Sequence, residues 1–174
     1  MNYLDTGAMY RALTLACIRK KIDFTDQSEI CKVAENMDLN VNYSGGKLKV
    51  YLGTENVSEA IRKPAVNENI STVSEISKVR AIMVKKQREI TKGGVVVEGR
   101  DIQTVVFPDA KYKFYLDADF EVRVKRRHKE MAEKDFDITE EDVAADLNTR
   151  DTSDRNRAYG PLKQAKDAVY IDTS

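Results

Sequence analysis

The chain's candidate chemistry rests on arginine, aspartate and hydroxyl side chains set close together in three stretches. "DTGAMYR", Asp5 to Arg11, places an aspartate, a threonine and an arginine at what reads as the end of a strand and the start of a helix. "GRD", Gly99 to Asp101, follows the β-branched run Val95 to Val97. "TRDTSDRNR", Thr149 to Arg157, interleaves Arg150, Arg155 and Arg157 with Asp151 and Asp154. Arginine presents a planar fork of donors suited to phosphate oxygens. Forks arriving from separate segments are what a site for phosphoryl groups requires. Thr6 at a helix start adds an N-terminus that favours anions, with Arg11 about one turn further on. Arg100 and Asp101 stand at the carboxyl end of an expected strand, where open α/β sheets bind ligands. Arg123, Arg126 and Arg127 fall on adjoining faces of one helix. Taken singly, Arg127 or Arg155 reads as solvated charge, and Ser71 as a helix-surface serine. As a set, the arginines read as an anion site.

Composition narrows the function classes. With 174 residues the chain is long enough for one domain with a core. Its 41% hydrophobic and 33% charged residues describe a globular protein rather than a disordered one. Twenty-nine Lys and Arg balance 29 Asp and Glu, so a uniform basic field for nucleic acid is absent. His128 is the only histidine, which argues against histidine triads and histidine-rich metal sites. Cys17 and Cys31 are too few for a disulfide framework, and a reducing cytosol is the expected setting. No signal peptide and no membrane span are expected.

The elements that must position these residues follow from apolar spacing. Thr6 is expected to cap a helix carrying Met9, Tyr10, Leu13, Ala16 and Cys17 on one side. A second helix fits Ser28 to Met37. Leu39, Val41 and Tyr43, then Leu48, Val50 and Leu52, alternate around "SGG" as a hairpin with one buried face. Helical spacing runs from about Arg62 to Ile90 with a break near Glu75. "GGVVVEGRD" predicts a buried strand and a loop, "YKFYLDA" another strand, and "AVYIDTS" a last buried strand. Asp119 to Glu133 is expected to be helical, "EKDFDIT" a loop and Thr139 to Thr149 a further helix. Strands alternating with helices imply a mainly parallel α/β sheet, with the hairpin as an insertion.

"YLDTGAMYRALT", "GRDIQTVVFPDA" and "TRDTSDRNRAYGPLKQAKDAVYIDTS" closely resemble bacterial cytidylate kinases, collinearly and over essentially the whole chain. The resemblance implies a P-loop nucleoside-monophosphate kinase fold. That is a parallel sheet flanked by helices, with a hairpin-containing CMP-binding insert at 38–71 and a helical lid at about 123–157. The core is then 1–37 and 72–174, incomplete at both ends. The implied reaction moves the γ-phosphoryl of ATP, with Mg²⁺, to CMP or dCMP. Thr6 stands near the acceptor nucleotide, and Arg11, Arg100 and Arg157 resemble the clamps on its phosphate. Ser71, Arg80 and Asp101 resemble the cytosine readers, and Arg150 and Asp154 the pair at the sugar. Arg100, Arg150 and Arg157 are the catalytic set. Arg123, Arg126 and Arg127 lie where the lid covers ATP. No residue is assigned to metal. The attacking phosphate oxygen is already ionised, so neither a general base nor His128 is required.

Two departures from the family set further expectations. The "GxxxxGK[ST]" loop that cradles ATP phosphates does not occur among the 174 residues, and "YSGGKLKV" belongs to the hairpin. The chain is therefore expected to be a fragment that begins on the family's second strand and stops short of a further helix, with doubtful activity as written. An inner strand would then be lacking, leaving unpaired strand edges and an apolar slot. Gln103 replaces the usual glycine of "GRDIGT", which bears on the backbone beside Asp101. The alternatives are a CMP-binding fragment without catalysis and, from another class, an RNA-binding module using the arginines. A monomer is expected if the chain is complete, with no nucleic acid or membrane as partner.

Overall fold

The computed structural model describes residues 2–91, 93–133 and 137–174, so part of the expected "EKDFDIT" loop lies outside the described residues. Strand β1 (Asn2–Asp5) runs directly into helix α1 (Thr6–Arg19). The cap is Asp5 rather than Thr6: its carboxylate accepts from the Ala8 backbone N–H. Thr6 is already helical, and its hydroxyl donates across the molecule to the Glu98 carbonyl at 2.8 Å. Either side chain can satisfy free N–H groups at a helix start, and the carboxylate does so here. Ten of the 14 residues of α1 are buried, so it is a central helix and not the one-sided helix its spacing suggested.

Helix α2 (Gln27–Asn36) and the antiparallel strands β2 (Leu39–Ser44) and β3 (Lys47–Leu52) follow, and a short β4 (Glu55–Asn56), not foreseen from the sequence, pairs with β3. Val41 pairs with Val50 in this hairpin, which packs against α1 and β1. A 3-10 turn (Ala60–Arg62) leads to α3 (Pro64–Glu75), and Ile76 breaks the chain before α4 (Ser77–Ile90). Leu13, Ile30, Val66, Val73, Val79 and Met83 of these helices close one core around α1.

Strand β5 (Val95–Glu98) pairs in parallel with β1, Leu4 opposite Val97. A π turn (Ile102–Val106) follows it. Strand β6 (Phe114–Asp117), α5 (Phe120–Ala132) and α6 (Glu140–Asn156) lead to β7 (Val169–Asp172), which lies parallel to β6. The architecture is thus α/β, with parallel strands flanked by helices and an antiparallel insert. Among the described residues the parallel strands form two separate pairs, β1–β5 and β6–β7. This changes two expectations. β5 and β7 are not buried strands: Val96 is 50% exposed, and all four residues of β7 are exposed. Phe114 and Leu116 of β6 are exposed beside them. β-branched runs do predict strands, but burial depends on what covers each face, which the run itself does not encode. Helix α6 also continues seven residues past Thr149. It starts from a capping box between Thr139 and Asp142 and carries Arg150, Asp151, Asp154 and Arg155 on its last two turns.

Candidate active site

The carboxyl end of β5 and the N-terminus of α1 meet at Thr6 and Glu98, and the polar residues converge beyond that junction. Gly99 makes the approach possible, because a Cβ there would lie 2.2 Å from the Thr6 hydroxyl oxygen. Asp101 begins the π turn, and its carbonyl accepts from Val105 and Val106 N–H at 2.9 and 3.2 Å. Its carboxylate pairs with Arg80 of α4. Both side chains are almost fully buried, and the Arg80 guanidinium lies 5.3 Å from the centre of the Tyr10 ring. Arg80 also donates to the Ser74 carbonyl at 3.1 Å. Burying such a pair costs desolvation that stacking and added hydrogen bonds offset. Gly160 sits on this pair with φ +60°; a Cβ would fall 2.3 Å from Asp101 Oδ2 and 3.2 Å from Arg80 Nη2.

Asp154 joins the two later motifs. One carboxylate oxygen meets Arg157 Nη1 at 2.7 Å and the other meets Arg100 Nε at 2.9 Å. Arg157 Nε donates to the Gly160 carbonyl at 2.6 Å, while its Nη2 is buried without a hydrogen-bond partner. Burial, and then the nearby Arg80 charge, hold Arg157 below the ordinary arginine range. Arg11 shows the same character. It donates to the Asn67 side-chain oxygen, and burial followed by the charge of Arg150 lowers its pKa, with Arg62 and Arg127 adding to the effect. Arginines that burial and like charge both penalise are poised to gain from an anion. The Tyr10 hydroxyl is also buried and unpartnered, and burial raises its pKa to about 12. Donors left unpaired in this way mark a place where a polar ligand can complete the set.

Arg80, Arg100, Asp101, Asp154 and Arg157 are therefore linked through shared partners or mutual charge, while Arg11 is held apart from them by Asn67 and shares its charge environment with Arg150. Other assigned residues stand apart. Thr6 spends its hydroxyl on Glu98, and Arg150 pairs with Asp146 at 3.3 Å rather than with Asp154. Ser71 lies partly buried on α3. Arg123 ties α5 to α6 through Asp151 at 2.7 Å, Arg126 donates to the Thr173 carbonyl at 2.6 Å, and Arg127 pairs with Glu130 at 2.9 Å. Sequence reasoning missed Asn67, Gly160 and the polar part of Tyr10. Only "DTGAMYR" hinted at the last, by placing a tyrosine beside Arg11. Gln103 ties the loop to its neighbours: its amide donates to the Phe114 carbonyl at 2.6 Å and accepts from Ala165 N–H at 3.3 Å.

Parallel strands flanked by helices, with arginines converging at a carboxyl strand end, are consistent with a nucleoside-monophosphate kinase fold. The cytidylate kinase family model matches residues 1–174. A cytidylate kinase of Clostridioides difficile is 44% identical over 175 residues, covering 100% of this chain and 79% of the relative. One of Caldanaerobacter subterraneus is 44% identical over 174 residues, covering 99% and 76%. A third, of Bacillus cereus, is 40% identical over 173 residues, covering 99% and 77%. The chain belongs to the cytidylate kinase family, an enzyme family of nucleoside-monophosphate kinases. Among the described residues no three His, Cys, Asp or Glu side chains gather as a metal site, and no helix is long and apolar enough to cross a membrane.

Proposed function

We propose that this site is the acceptor site of a phosphoryl transfer from ATP to CMP or dCMP, giving ADP and CDP or dCDP. The observation that carries the reading is the convergence of Arg100 and Arg157 on Asp154, beside the buried Arg80–Asp101 pair. Asp101 and Ser71 accept from the cytosine amino group, and Arg80 donates to ring N3 and O2. Arg11, Arg100 and Arg157 take the phosphate. Asp154 and Arg150 lie at the sugar. Seating the nucleotide requires the Gly160 segment to withdraw from Asp101. A phosphate oxygen of the acceptor then forms a bond to the γ-phosphorus of ATP as the bond to the β-bridging oxygen breaks. Arg100, Arg150 and Arg157 neutralise the charge that spreads over the transferring group. Arg123, Arg126 and Arg127 belong to the lid on the ATP side. Mg²⁺ would accompany the ATP phosphates, and among the described residues no group of three His, Cys, Asp or Glu side chains would hold it. The "GxxxxGK[ST]" cradle is not among the 174 residues. These residues thus supply the acceptor half of the chemistry.

Base selection tests this reading. Uracil presents a carbonyl where cytosine has its amino group, so two acceptors would face each other at Asp101, a cost of about 1–3 kcal/mol. CMP and dCMP are expected to bind more tightly than UMP in calorimetric titrations, and Asp101→Asn to blunt the difference. Equal affinities for CMP and UMP would remove Asp101 and Ser71 from the site.

A further inference from the structure

We propose that Arg88, outside every motif considered above, is a positioning residue for base recognition. It lies eight residues beyond Arg80, about 12 Å further along α4. Its Nε donates to the Val106 carbonyl at 2.8 Å and its Nη2 to the Val105 carbonyl at 2.7 Å. These are the last carbonyls of the π turn that Asp101 starts. Carbonyls at the end of any helical turn lack partners within the turn, and π geometry is the least stable of the helical forms. The Val106 bond is partly buried, and the Val105 bond and Arg88 itself are exposed, so the guanidinium is the fixed donor at an end that water can also reach. The far end of the turn is held by charge-assisted bonds from Arg88, and the near end by hydrogen bonds to the Asp101 carbonyl. One helix therefore grips this loop twice, at the Asp101 carboxylate through Arg80 and at the turn's last carbonyls through Arg88. Gln103 holds the opposite flank to β6 and Ala165.

The consequence is geometric. Arg80 alone fixes where the Asp101 carboxylate is anchored, but the direction of its second oxygen depends on the backbone of the turn. With Arg88 removed, the turn can relax to tighter bonding, which rotates Asp101 about its own backbone. Discrimination between an amino group and a carbonyl should then fade, while Arg11 and Arg157, which stand on other segments, stay in place.

The inference rests on the acceptor-site reading, and the experiment keeps the two separable. Wild-type protein, Arg88→Met, Arg88→Gln and Arg88→Lys are titrated with CMP and with UMP, and their thermal unfolding is recorded. Arg88→Met is expected to lower the CMP-to-UMP affinity ratio about tenfold, with UMP affinity nearly unchanged. Arg88→Lys, which keeps a charged donor, should restore part of the ratio. A wild-type ratio in Arg88→Met, accompanied only by a lower melting temperature, would overturn the proposal and leave Arg88 a structural residue. Should Arg88→Met not fold, Arg88→Gln decides alone, and a wild-type ratio there overturns it. If wild-type protein itself fails to prefer CMP, the acceptor-site reading fails first and this inference falls with it.

Discussion

Tyr10 shows how far a single residue can be read in advance. Its place on the apolar face of α1 was legible, since Met9, Leu13 and Cys17 share its spacing. Its ring under Arg80 and its unpartnered hydroxyl were not, because they depend on α4 and on the turn after β5. The arginines divide in the same way. Their types and clustering announced an anion site; Arg150 with Asp146 and Arg157 with Asp154 are local i,i+4 and i,i+3 pairs, but Arg100 reaching Asp154 is an outcome of tertiary packing. Burial at Tyr10 and Cys17 also sets a prediction. Burial raises Tyr10 from 10.0 to about 12 and Cys17 from 9.0 to about 11. Both groups hold their protons more tightly in the folded state. Their stabilisation is thus complete below the unfolded values and is lost as pH rises through the folded ones. Denaturant unfolding should show stability falling from pH 9 to 11 for Cys17 and from pH 10 to 12 for Tyr10, each on the order of 2 kcal/mol. Tyr10→Phe should flatten the loss above pH 10. An unchanged profile in that variant would place the alkaline loss elsewhere.

At the scale of elements, periodicity located helices well and said little about their surroundings. The break between α3 and α4 falls at Ile76, one residue from where the spacing changed. The hairpin pairs as its alternation required. The strand runs of valine were legible as strands, yet β5 and β7 are open on faces that only neighbouring layers could have covered. The π turn had no periodic signature, being five residues long and held by side chains from outside it. The segment after α6 is another non-local feature, since Gly160 touches a carboxylate some 60 positions earlier in the chain. There a side chain meets both a left-handed backbone and the Asp101 oxygen. Gly160→Ala is expected to destabilise the protein by about 1–2 kcal/mol from the backbone alone, with more from displacing Asp101. Urea unfolding checks this, and a variant as stable as wild type would show that the segment does not rest on the Arg80–Asp101 pair.

At the scale of the whole molecule, the proposed acceptor site lies between a helical core and the ends of parallel strands. Its parts come from β1–α1, α4, the turn after β5 and the end of α6. Such convergence has a consequence for turnover. A polypeptide of these 174 residues holds no "GxxxxGK[ST]" run. It is expected to bind CMP, yet to form CDP from ATP and Mg²⁺ about 10²-fold or more slowly than a cytidylate kinase carrying that loop. Direct assay of CDP within tenfold of such a relative would show the donor site to be misplaced. The central claim is narrower, that Arg11, Arg100 and Arg157 share one phosphate. Calorimetric titration of wild type, Arg11→Ala, Arg100→Ala and Arg157→Ala with CMP and with cytidine tests it most directly. The account predicts that each substitution weakens CMP far more than cytidine, most sharply at Arg157 with its buried free Nη2. Equal losses for CMP and cytidine at Arg157 and Arg100 would contradict it.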